Sequence, residues 1–350
     1  MAASSQAQLY DHKQSIDITQ PPTDSISALE FNPTQDIIAA SSWDNMIRLW
    51  QVDTNSGQSM ARHAYGHDQP VLDISWAKDG TKLFSAGADK MGKVLDMNTL
   101  QAVQFAQHDA PIKCVKALDN QCIITGSWDK TLRVWDLRQQ TPAMVMNVPE
   151  RIYAMDVVSN LLVVGTAERG IVIYNLQNPQ QPFKSMISPL KWQTRCLAAF
   201  PDGKGFAIGS IEGRVGIQYV EDKDSSLNFS FKCHRGNNND VYAVNEISFH
   251  PVHGTFSTAG SDGTFNFWDK DSKQRLKTST AINDPAQPNV LCPIPATSFN
   301  RDGRIFAYAA SYDWSRGYEH SRQGQRHRIL LYAVKDDDVK QRNQKKPAGR

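Results

Sequence analysis

The chain has 350 residues, 40% of them hydrophobic and 21% charged, the composition of a globular protein able to bury a large core. A formal net charge of +2 leaves no overall field to draw it onto nucleic acid or anionic lipid, so any basic site has to be a local patch. Five scattered cysteines (Cys114, Cys122, Cys196, Cys233, Cys292) form no Cys-x-x-Cys pair, which argues against a disulfide framework and a zinc knuckle and for a reducing compartment.

The first residues lack the basic and then apolar stretch of a secretory signal, and no apolar run approaches the roughly 20 residues that span a bilayer. The cytosol, the nucleus or both are therefore expected. Residues 1–14 read as a flexible segment, and 15–22 (SIDITQPP) alternate like a strand. From there to residue 334 one pattern recurs. Its clearest copy is 122–137, CIITGSWDKTLRVWDL: an alternating apolar strand, a tight turn at Trp128-Asp129-Lys130, and a second alternating strand ending in Trp135-Asp136. The positions equivalent to Trp135 are Trp50, Leu95, Trp135, Tyr174, Gln218, Trp268 and Tyr332. A period of about 40 to 45 residues ending in Trp-Asp marks propeller blades. Each copy follows a shorter strand with its own turn signal, as in VLDISWAKDG and ISFHPVHG, which makes four strands per blade. The expectation is an all-β, seven-bladed WD-repeat β-propeller over 15–334, its ring closed by the N-terminal strand pairing with 328–334. Residues 335–350 read as a basic tail, in which Asp336, Asp337 and Asp338 form a solvated acidic run.

His108, Ser127, Asp129 and Trp135 include the residue types of a nucleophilic triad, but they recur within the blade grammar. A buried hydrogen-bond network locking neighbouring strands is the expected role. A hydrolase would need an exposed Ser127 and an oxyanion hole, of which the sequence gives no sign. His63 with His67, and His250 with His253, lack a third ligand in register, so no metal is expected. No cofactor and no enzymatic activity are expected either.

Binding is expected at the tight turns. The residue before the turn Asp reads Trp43, Ala88, Trp128, Glu168, Ile211 and Ser261 in blades one to six. Tryptophan at a solvent-facing turn suits an aromatic hot spot for a peptide, the alternative being that each ring folds over its own blade. Arg195 and Arg214, in the fifth blade, are expected to converge near the rim and to meet carboxylates of an acidic ligand. The last blade carries an insertion with Arg316, Arg322, Arg326 and Arg328 among Trp314, Tyr312, Tyr318 and two histidines. Its basic and aromatic mix suits single-stranded RNA, with the basic tail as a further contact or a merely solubilising end.

Several segments carry a family resemblance over nearly the whole chain: PPTDSISALEF, TGSWDKTLRVWDLR, VPERIYAMDV, IGSIEGRVGIQYV, DVYAVNEISFHPVHGTF and FAYAASYDWSRGYE. They resemble the WD-repeat messenger RNA export factors of the nuclear pore, relatives of a mitotic-checkpoint propeller. The resemblance implies a non-enzymatic adaptor in nuclear export of messenger RNA, monomeric within a heterodimer and found in the nucleus, at the nuclear pore complex and in the cytoplasm. It implies an upper face that binds the GLEBS motif of a GLFG-repeat nucleoporin. By motif match that role falls on Trp43, Trp128, Arg195 and Arg214, with Trp268 and Arg275 near the sixth blade. The other implied reading is a spindle-checkpoint propeller binding kinases through GLEBS-like motifs. Leu95, in place of the blade tryptophan, departs from the repeat.

Overall fold

The computed structural model describes residues 8–11, 14–285, 287–322 and 324–342. Seven antiparallel blades follow one another around a central channel, the first running Ile26–Phe31, Ile37–Ser42, Met46–Val52 and Ser59–Gly66 from the channel outward. The second strand of each blade lies between its neighbours in the blade and between the two flanking blades. It is therefore buried on both faces and reads as an unbroken run of small and apolar residues, IIAASS at 37–42 and IFAYAA at 305–310. Outermost strands are half-covered and can alternate, as in Lys184–Ile187 and Phe229–Lys232.

The apolar core is divided into seven clusters, each joining two adjacent blades. The largest rings lie between blades six and seven, where Phe265, Phe267, Phe306, Tyr308 and Tyr332 pack together. No blade can bury its faces alone, so closing the ring is a condition of stability.

Closure uses both ends of the chain. Ile16–Asp17 is the outermost strand of the seventh blade, with Ile16 opposite Leu331 and Asp17 opposite Leu330. Arg328 holds it through a two-pronged ion pair to Asp17 at 2.7 and 2.8 Å. Gln8–Tyr10 adds a parallel fifth strand to the sixth blade, beside Lys277–Ser279. The rest of the expected flexible segment, residues 1–7 and 12–13, lies outside the described residues.

At the other end the expectation of a solvated acidic run is corrected at Asp338. A short helix, Asp336–Val339, turns this carboxylate inward, where Lys277 Nζ donates to it at 2.6 Å and Tyr332 Oη donates to its other oxygen. Val339 is buried in the cluster between blades six and seven, and its carbonyl accepts from Thr255 Oγ1 at 2.6 Å. A buried ammonium with an unmatched charge costs more than this short segment loses in entropy, which is why Asp338 docks. Residues 343–350 of the expected tail lie outside the described residues.

Removing the carboxylate with Asp338→Ala is expected to lower stability by about 3 kcal/mol, because a buried ion pair loses one of its members and Tyr332 Oη loses this acceptor. Asp337→Ala, whose side chain is exposed, should leave the denaturation midpoint unchanged. Urea unfolding of the two variants checks both.

Candidate functional site: the upper face

The tight turns between second and third strands all lie at one end of the ring, which defines the upper face. In blades one to six the pairing of the first two strands slips by one residue next to that end. A bulge re-aims the side chain of the extra residue. The extra residues are Ser27, Leu72, Lys113, Tyr153, Arg195 and Asn245, and all six line a basin of about 470 Å³ at the upper mouth of the channel. Trp43, Trp128 and Trp314 rim it. The bulge explains why Arg195, inside a strand, reaches the opening.

Asp73, Glu246 and Asp313 put carboxyl groups into the basin lining. Burial pushes Glu246 up to about 7, and Glu30, on the innermost strand of the first blade, up to about 8. Lys116 is disfavoured as an ammonium by the same burial, but Asp73, Asp156 and Glu30 around it outweigh that and hold it charged.

A second cleft, of about 650 Å³, opens between blades five to seven. Val241, Val290, Leu291 and Tyr312 give it apolar walls, and Arg195, Arg316, Arg322 and His320 line it together with Asp240 and Asp284. Around both cavities the face exposes Trp192, Val241, Ile211 and Trp128 at 60%, 44%, 39% and 38%. An apolar surface with a cationic border suits a chain carrying apolar and acidic residues.

The expected site residues fall into three groups. Trp43, Trp128 and Arg195 come together around the basin. Trp43 is not a free ring, however: Trp314 stacks on it with centroids 4.4 Å apart. Arg214 does not converge with Arg195. It stands two strands further out, 3.7 Å from the carboxylate of Glu212, while the Arg195 guanidinium turns inward, its Nε donating to Asn245 Oδ1 and its Nη2 to the carbonyl of Asp313. The two arginines are separate contact points. Trp268 and Arg275 are not on this face at all: Trp268 pairs with Phe256 and Arg275, at the end of the blade opposite its tight turn. There Trp268 packs on Phe231 at 4.5 Å between centroids with the rings tilted by 48°, Arg275 lies over the Trp268 ring, and Lys273 lies over Phe229.

Of the insertion arginines, Arg316, Arg322 and Arg326 are exposed, whereas Arg328 is spent on Asp17 in the ring closure. The residues that sequence reading missed, Tyr153, Trp192, Val241 and Tyr242, lie in bulges or blade connectors, where no repeat position marks them.

The buried network is present, with one correction: its hydroxyl is Thr125, not Ser127. His108 Nδ1 meets Asp129 at 2.8 Å, His108 Nε2 meets Thr125 Oγ1 at 2.7 Å, and Trp135 Nε1 donates to the same Oγ1 at 2.8 Å. A carboxylate only accepts, so Nδ1 carries the ring proton and Nε2 takes the threonine hydrogen. Burial holds His108 below its ordinary pKa despite Asp129, and Asp129 stays below its own despite burial because Thr131 and His108 bond to it. His234, Asp262, Thr258 and Trp268 repeat the arrangement. In blade two, where Leu95 replaces the tryptophan, His67, Asp89 and Ser85 keep the rest of it. Ser127 is fully buried and donates to the carbonyls of Ala110 and Pro111, so the hydrolase reading loses its nucleophile. His67 and His250 are likewise occupied, by Asp89 and Ser85 and by Gly303, and no three metal-ligating side chains converge among the described residues.

The family model of the WD domain, G-beta repeat, matches residues 12–51, 59–96, 99–136 and 225–269. The mRNA export factor GLE2 of Chaetomium thermophilum is 52% identical over 345 residues, covering 95% of this chain and 94% of the relative. The Poly(A)+ RNA export protein of Schizosaccharomyces pombe is 51% identical over 342 residues, at 96% and 95% coverage. Protein RAE1 of Arabidopsis thaliana is 49% identical over 333 residues, at 93% of each chain.

Thr125→Val is expected to cost about 3 kcal/mol, since it strands both the Trp135 N–H and His108 Nε2 in the core. Ser127→Ala should cost less, about 1 to 2 kcal/mol, since it removes the bonds to the Ala110 and Pro111 carbonyls and to the Asp129 amide but strands neither Trp135 nor His108. Equal losses in thermal denaturation would return Ser127 to the network.

Proposed function

The chain belongs to the WD40-repeat family of mRNA export factors, and on that premise we propose that it is a non-enzymatic adaptor in messenger RNA export, clamping an acidic, apolar segment of a nucleoporin on its upper face. The partner segment is the GLEBS motif of a GLFG-repeat nucleoporin, which assigns the protein to the nucleus and the nuclear pore, with a cytoplasmic pool. The observation that carries this reading is the composition of that face. Exposed Trp128, Trp192, Ile211 and Val241 surround two cavities bordered by Arg195, Arg316 and Arg322, with Arg214 standing outside them. Trp128 and Trp43 take apolar side chains, and Arg214 leaves Glu212 for a ligand carboxylate.

Arg214→Glu is expected to weaken binding of a synthetic GLEBS peptide by about 2 to 5 kcal/mol, because like charges then meet at a partly desolvated contact. Calorimetric titration of the folded variant reads this directly. An unchanged dissociation constant would take Arg214 out of the site, and no binding by the wild type would remove the nucleoporin reading.

RNA contact is favoured by a second observation, the alternation of cations and rings on two other surfaces. One is the insertion, with Arg316, Arg322 and Arg326 exposed beside Tyr318. The other is the edge of blades five and six, with Lys273 and Arg275 over Phe229 and Trp268. Bases stack on such rings while the cations neutralise phosphates. Substituting Lys273 and Arg275 by Glu, or the three insertion arginines by Glu, should each reduce the salt slope of oligoribonucleotide binding by about one per lost phosphate contact. A slope unchanged in both sets would exclude these surfaces.

A further inference from the structure

Every tight turn of the ring places a residue in the left-handed region. Asn45, Lys90, Lys130, Arg169, Gly213 and Gly263 hold it at φ 68°, 69°, 67°, 65°, 62° and 69°, and in the fourth blade Glu168 joins Arg169 at 59°. In the seventh blade the same position is Trp314, at φ 62°. A bulky aromatic is among the residues least suited to this conformation, and strain of this kind concentrates where a site needs it.

Two further observations single out the same side chain. Its indole N–H is shielded from solvent and meets no acceptor among the described residues. Its ring stacks on Trp43 and borders both cavities, so it stands as the wall between the basin and the cleft. The turn beneath it is fixed. Asp313 accepts from Ser261 Oγ at 2.5 Å and from Asn245 Nδ2 at 2.9 Å, and its backbone carbonyl accepts from Arg195 at 2.8 Å. The backbone is anchored across three blades, while the ring is held by its contacts with the rings of Trp43 and Tyr312, at 4.4 and 5.6 Å between centroids.

We propose that Trp314 is a ligand-displaced partition. An extended acidic peptide crossing the upper face lifts the indole off Trp43 and joins the two cavities into one groove. It supplies to Nε1 the carbonyl or carboxylate acceptor that none of the described residues provides. The choice of an acidic chain follows from Arg195, Arg316 and Arg322, which face the cleft behind the partition. This inference rests on the peptide-binding reading of the face given above.

Trp314→Gly and Trp314→Phe test it in the full-length protein. Glycine is relaxed at this φ, so the thermal midpoint of the free glycine variant should equal or exceed that of the wild type. A fall of more than about 5 °C would make Trp314 a packing residue and overturn the proposal. With a synthetic GLEBS peptide as probe, Trp314→Phe keeps a ring but has no donor and should bind about tenfold more weakly at an unchanged midpoint. Wild-type tryptophan fluorescence should also change on binding as the Trp43–Trp314 stack opens. Equal affinity of the wild type and both variants would overturn the partition while leaving the peptide site standing. No binding by the wild type would remove both together.

Discussion

Each seam of the ring is closed by a side chain on an innermost strand that reaches across to the next. Ser27 donates to the carbonyl of Val71, Asp73 accepts from the amide of Val115, and Asp156 accepts from the amide of Ala199. Cys196 donates to the carbonyl of Val244, Ser248 to that of Thr297, and Ser298 accepts from the amide of Phe31, closing the circle. The third seam is spanned by the ion pair of Lys116 with Asp156, at 4.0 Å. Innermost strands of different blades share no backbone ladder, so their amides and carbonyls facing the channel would otherwise lack protein partners. These bonds fix the angular position of each blade, and the upper face inherits its geometry from them.

The polar network within the blades performs a similar service one layer out. Where Trp, Thr, His and Asp are all present, each side chain of the network has its partner, and the connector leading into the innermost strand is tied to the second and third strands and to the tight turn. The same residue types in a solvent-exposed cleft would be a catalytic candidate. Here burial and full pairing leave no hydroxyl free to attack, and exposure, not composition, separates the two cases.

The upper face combines rigid and yielding parts. The bulges and Asp313 hold Arg195 and the turn of the seventh blade in place. The stacked pair of Trp43 and Trp314 covers apolar surface in the free protein, which limits the cost of exposing aromatics to water. The blade connectors contribute Trp192 and Val241, which stay 60% and 44% exposed. A surface built in this way limits the aromatic area shown to water while presenting an apolar and cationic face.

The blade count, the four-strand grammar and the closing N-terminal strand were legible in the sequence, because each blade repeats one alternating pattern and each turn carries its own signal. So were the network and the tryptophans at the turns. What the repeat could not reveal was decided between blades. Thr125 and Ser127 lie on the same side of a strand with period two, and only packing against His108 and Trp135 selects the threonine. Arg195 and Arg214 look equivalent along the chain, yet a bulge turns one into the channel while the other stays beside Glu212. Arg328 reads as one more arginine of a basic insertion until the first strand arrives with Asp17, over 300 residues away in sequence. Asp338 reads as solvated until Lys277 is found buried beneath it. Local periodicity specifies the blade. The partner of each charged or aromatic side chain depends on which distant strands the closed ring brings beside it, and a linear sequence does not encode that distance.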